Sequence, residues 1–134
     1  MIQSRSHIRL ASTSAAPRAT PILEHVKRTY ELWQSFLPHM PKTCRYTLGS
    51  KIDATLLETV ELIFLAAYVP RGRKAPYLER AAAKLDLLKM FVQIAWEIRA
   101  LDDKKYAAFS ERLREIGRMI GGWLKQATGD RLAA

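Results

Sequence analysis

The run Tyr106-Ala-Ala-Phe-Ser-Glu-Arg-Leu-Arg-Glu-Ile-Gly-Arg-Met-Ile-Gly-Gly-Trp-Leu124 decides the fold class. Its apolar residues Tyr106, Phe109, Leu113, Ile116, Ile120, Trp123 and Leu124 recur at steps of three and four. At about 100° per residue they share one arc roughly 100° wide, the core-facing side of an amphipathic helix. Asp102 or Asp103 can cap this helix at its start, and it is predicted to end near Thr128, before Gly129.

Three more helices precede it. Pro76 marks the start of a third helix running to about Leu101, and the breaker Pro70-Arg-Gly-Arg-Lys-Ala-Pro76 ends a second that runs from about Thr43 to Tyr68. The second carries Ile52, Leu56, Val60, Ile63 and Ala67 on one stripe. Thr20-Pro21 gives an N-cap and a first-turn proline for the first helix, which stops at Pro38, with His39, Met40 and Pro41 as a tight connection. Short connections make consecutive helices antiparallel neighbours, so the expectation is all-α: an up-down-up-down four-helix bundle. Residues 1–20 read as a flexible basic leader, 21–128 as the bundle and 129–134 as a C-terminal tail. The acid-free leader shares that property with organelle transit peptides; a disordered arm or an over-called start codon is the plainer reading.

The third helix has too much apolar surface for a lone bundle. Leu78, Ala81, Ala82, Leu85, Leu88, Val92, Ala95 and Trp96 fill one arc, while Leu87, Met90, Ile94, Ile98 and Leu101, with Ala83, lie roughly opposite. The second helix repeats the excess at Leu57, Phe64 and Tyr68. Such a face needs covering, and self-association is the simplest way; the first helix or the leader folding over it is the alternative. Lys89 and Arg99 interrupt the first arc, explained only by snorkelling. Gly117 and Gly121 make a Gly-x-x-x-Gly spacing that costs about 1 kcal/mol each against alanine. Close approach of another backbone, within the subunit or between subunits, would offset that.

At 134 residues, 49% hydrophobic and 26% charged, the chain is one ordinary globular domain. Its net charge of +9, three of it from Arg5, Arg9 and Arg18, favours polyanionic partners, nucleic acid first. Arg71, Arg73 and Lys74, followed by Arg80 and Lys84, form the strongest phosphate-contact candidate. Lys42, Arg45 and Lys51 surround the start of the second helix, and Arg114, Arg118 and Lys125 make a stripe on the fourth, with Glu111 and Glu115 near enough to neutralise it partly. Only Tyr46 and Tyr77 accompany these cations, so phosphate contacts are expected over base stacking, giving sequence-independent binding of RNA or DNA that weakens steeply with salt. A plain solvated basic surface is the competing explanation.

No catalytic constellation emerges, so the chain is read as no enzyme and as needing no cofactor. His7, His25 and His39 are scattered, Glu58 and Glu61 lack a Glu-x-x-His partner, and no metal site is expected. Cys44, the only cysteine, has no helical histidine partner beyond His39 and excludes an intrachain disulfide. A reducing cytoplasm suits it. The longest apolar run, Leu62 to Val69, is eight residues and cannot span a bilayer, so no membrane partner is expected.

Four segments carry a more specific likeness. Leu37-Pro-His-Met-Pro-Lys-Thr-Cys-Arg-Tyr-Thr-Leu-Gly-Ser-Lys-Ile-Asp53, Lys84-Leu-Asp-Leu-Leu-Lys89, Ala95-Trp-Glu97 and Ser110 to Lys125 resemble a bacterial four-helix bundle family. That family includes the accessory variability determinant of diversity-generating retroelements, with relatives encoded in intervening sequences of large-subunit ribosomal RNA genes. The resemblance covers about residues 22–126. It implies a homopentameric barrel with a basic surface that binds nucleic acid and a reverse transcriptase during mutagenic retrohoming. It transfers no contact residue by position. Within it, the alternative is an orphan bundle that binds structured RNA or only itself.

Overall fold

In the computed structural model, which describes residues 17–133, four long helices carry the chain: α1 (Ala19–Phe36), α2 (Leu48–Tyr68), α3 (Ala75–Glu97) and α4 (Asp103–Ala133). No strand occurs among the described residues. The expectation for residues 1–16 lies outside them. Helix α1 packs on α2 and α4, and α3 packs on α2 and α4, so the four close around one core. That core takes the stripes read from the sequence: Ile52, Leu56 and Ile63 from α2, Leu78, Leu85, Leu88 and Val92 from α3, and Phe109, Leu113, Ile116, Ile120 and Trp123 from α4.

Helix α1 supplies Ile22, Val26, Trp33 and Phe36. Trp33 stacks on Phe109 with centroids 5.6 Å apart, and Phe36 meets the same ring edge-on at 6.0 Å. The indole N–H of Trp33 donates to Asp53 at 3.0 Å, so the buried ring leaves no donor unmet. Thr29, Thr55 and Thr59 are buried as well, and each hydroxyl donates to the carbonyl four residues earlier.

The ends of the helices differ from the sequence reading, each for a local reason. Helix α1 begins at Ala19 with Arg18 in the cap position and no side-chain cap, so Thr20 is not the N-cap. Pro21 still falls in the first turn, where an N–H has no intrahelical acceptor to lose. The second helix is broken: one turn at Lys42–Arg45 stops at Tyr46, and α2 starts at Leu48. The Thr47 hydroxyl and N–H both lie on the Cys44 carbonyl, and the bend seats Gly49 under the Leu37 and Met40 side chains. A β-carbon at Gly49 would lie 3.3 Å from Leu37 Cδ1.

Helix α3 stops at Glu97, not Leu101, because Arg99 takes a left-handed φ of 69° and the Ala100 and Leu101 N–H groups fold back onto the Ala95 carbonyl. That reversal removes Arg99 from the helix face it was assigned to. Asp102 then caps α4, accepting from the Lys105 N–H at 2.8 Å, as one of the two candidates required. Helix α4 continues through Gly129 to Ala133 rather than ending near Thr128. No proline stops it, and Asp130, one turn from its end, is tied to Arg71 at 3.0 Å.

Candidate oligomer and nucleic-acid surfaces

Packing four helices around one core leaves the second apolar face of α3 outside. Leu87, Met90, Ile94 and Ile98 are all exposed, Met90 and Ile98 at 53% and 55%. Leu57, Phe64 and Tyr68 of α2 are exposed too, and Leu65 joins them. Phe64 and Tyr68 lie against each other at 4.9 Å. Leu101 does not belong to this face. It is 1% exposed, because the turn at Arg99 carries it into the core.

The two glycines of α4 do different things. A β-carbon at Gly117 would touch Leu85 Cδ2 at 3.4 Å and Lys89 Nζ at 3.5 Å, so this glycine makes room for α3 within the bundle. The Lys89 ammonium therefore lies beside Gly117, at the edge of the α3–α4 contact. Gly121 has nothing within 4 Å and stays open to solvent. Its neighbour Gly122 lies under the Arg18 guanidinium, 3.1 Å from where a β-carbon would sit.

The cations proposed for phosphate contact separate into groups. Lys74 is buried, and its ammonium donates to the carbonyls of Ala66 at 2.8 Å and Val69 at 2.9 Å. It closes the C-terminal end of α2, a correction to its place in the phosphate set: a cation enclosed by backbone carbonyls has no face left for a phosphate. Burial holds its pKa below the ordinary lysine value, with Asp130 opposing that shift. Arg71 and Arg73 sit on a single 3-10 turn, both exposed, with Arg71 reaching Asp130. Arg80 sets its guanidinium 5.9 Å from the Tyr77 ring centroid, and Lys84 pairs with Glu58 at 2.9 Å.

On α4, Arg114 pairs with Glu111 and Arg118 with Glu115. The Arg114 hydrogen bond holds the Glu111 carboxyl below its usual range. Lys125 is exposed, as is Lys42. Arg45 is half-buried, its Nη2 donating to the carbonyls of Pro38 and Met40. The Phe36–Phe109 contact puts the Lys42 and Arg45 segment beside the start of α4, whereas Arg71–Asp130 puts the other cluster at its end. At a rise of about 1.5 Å per residue the two lie roughly 30 Å apart, so the chain presents two cationic ends and not one site.

Among the described residues no group of three or more His, Cys, Asp or Glu side chains is placed to hold a metal ion, and no helix is long and apolar enough to cross a membrane. What the geometry defines is a helical-bundle protein with an uncovered apolar face and cationic ends. Its family follows from comparison: the bAvd-like family model matches residues 22–127, and the chain belongs to that family. No curated protein matches it.

Proposed function

We propose that this protein is a non-enzymatic accessory factor of the kind its family resemblance implies: a cytoplasmic homopentamer of up-down-up-down bundles that binds nucleic acid and a reverse transcriptase. The observation that carries the reading is the exposed apolar stripe Leu87, Met90, Ile94 and Ile98 on an otherwise well-packed bundle. The up-down order is supported by Phe36 meeting Phe109 near one end of α4 and Arg71 meeting Asp130 near the other.

Magnitudes favour an assembly that uses both outer patches. Covering a half-exposed Leu, Ile or Met side chain is worth about 1 kcal/mol. The α3 stripe alone offers four, against an association cost of about 4–15 kcal/mol. Adding Leu57, Phe64, Leu65 and Tyr68 of a neighbouring copy doubles the gain and lifts it from the lower edge of that range toward its middle. Lys84–Glu58 marks where α2 and α3 lie side by side. From there the α2 patch runs toward the α2–α3 loop and the α3 stripe runs away from it. One copy's α2 patch can therefore meet the next copy's α3 stripe, leaving the cationic ends free for a polyanion.

Nucleic-acid binding is tested by titrating RNA and DNA, single- and double-stranded, against salt. Phosphate contact predicts log Kd changing linearly with log salt, by about 0.9 per phosphate engaged on duplex. Arg73→Glu and Arg80→Glu each reduce that slope by about 1. Affinity indifferent to salt overturns the phosphate surface. Co-purification with a diversity-generating retroelement reverse transcriptase tests the remaining partner.

A further inference from the structure

The bend between Lys42–Arg45 and α2 opens a cavity of about 480 Å³ lined by Gln34, Leu37, Pro38, Arg45, Tyr46, Gly49, Ser50 and Asp53. Within that wall lie one aromatic ring, one cationic plane and one fixed acceptor. Tyr46 is 70% exposed, unusual for a ring with no partner in the bundle core. The Arg45 guanidinium is pinned by the Pro38 carbonyl at 3.0 Å and the Met40 carbonyl at 2.9 Å, while its Nε is buried with no hydrogen-bond partner among the described residues. Among the described residues, both groups that accept from Arg45 are backbone carbonyls and not carboxylates. Asp53 Oδ1 is held by Trp33 at 3.0 Å and Gln34 at 3.3 Å.

We propose that this cavity receives one unstacked, amino-bearing nucleobase of a single-stranded nucleic acid, a reading that rests on the nucleic-acid binding proposed above. Aromatic rings and arginine planes are the surfaces on which splayed bases stack. A carboxylate accepts from an exocyclic amino group such as that of cytosine, and the Ser50 and Gln34 side chains supply further polar contacts at the wall. The volume is within the range of small-molecule sites and exceeds what one base needs, leaving room for its sugar. Lys42 and Lys51 flank the opening in sequence and are exposed, and Asp53 is the only acid in the lining. That balance favours a polyanion over a peptide as the occupant. The phosphates track the two lysines while the base turns inward.

A single strand alone can deliver such a base, so duplex serves as the control. The full-length protein is titrated with a short oligocytidylate and with an RNA duplex at one salt concentration. Tyr46→Ala weakens the single strand by about tenfold and leaves the duplex unchanged, while Tyr46→Phe retains both. Tyr46 is exposed, so the substitution spares the core. An oligocytidylate carrying one 5-iodocytidine photo-cross-links to Tyr46. If the wild type binds both forms and Tyr46→Ala alters neither, the cavity is not a base site and the phosphate surface stands. Cross-links confined to other residues, or loss of a protein partner with single-strand affinity intact, overturn it equally. A wild type that binds no nucleic acid removes both proposals together.

Discussion

The Lys74 ammonium donates a 2.8 Å hydrogen bond to the Ala66 carbonyl and closes the C-terminal end of α2 from inside the loop that follows. The last carbonyls of a helix have no intrahelical donor, and here that of Ala66 is buried away from water. The loop geometry therefore depends on a cation that solvent barely sees.

Removing it leaves the carbonyls of Ala66 and Val69 without that partner. Lys74→Met is expected to destabilise the fold by about 1–3 kcal/mol, read as a lower urea midpoint with unchanged m-value. The same variant leaves the salt slope of nucleic-acid binding unaltered. A reduced slope at full stability would return Lys74 to the phosphate surface.

Asp102 gives a pH signature. The Lys105 backbone N–H, and then the Lys105 ammonium, hold its carboxyl below the ordinary value of 3.8. A carboxyl with a depressed folded pKa stabilises the fold above its unfolded value and loses that contribution as pH falls through the folded one. Asp102→Ala therefore lowers Tm at neutral pH, and the gap to wild type closes as the pH drops below 3.8. A gap that persists unchanged in acid contradicts the cap.

Arg99 holds φ at 69°, a conformation that glycine adopts without steric cost. Arg99→Gly is expected to raise stability by about 1 kcal/mol, measured by chemical denaturation. A loss of stability would show that the arginine side chain makes a contact worth more than the strain.

Helix α4 was legible because its period is unbroken from Tyr106 to Leu124, and periodicity needs no knowledge of partners. The two-faced α3 was legible for the same reason, and Leu87, Met90, Ile94 and Ile98 are exposed where that pattern put them. Leu101 was misplaced because the helical period was carried across Arg99, whose backbone turns the chain by a dihedral that residue type does not announce. The bend at Thr47 escaped for a similar reason: Thr43 to Tyr68 holds no proline or internal breaker except Gly49, and the break comes from the fit of Gly49 under Leu37 and Met40. The cationic clusters were readable as clusters. Which cations face solvent was not, since Lys74 differs from Arg73 only in where a three-residue turn points it.

Whether the outer face is covered by further copies is settled most directly by sedimentation equilibrium of the full-length protein at micromolar concentration. The expected result is a particle of about five times 15.3 kDa, which Met90→Lys with Ile94→Lys breaks into helical subunits of 15.3 kDa. A wild-type particle of 15.3 kDa, stable and soluble with its apolar stripe bare, would contradict it.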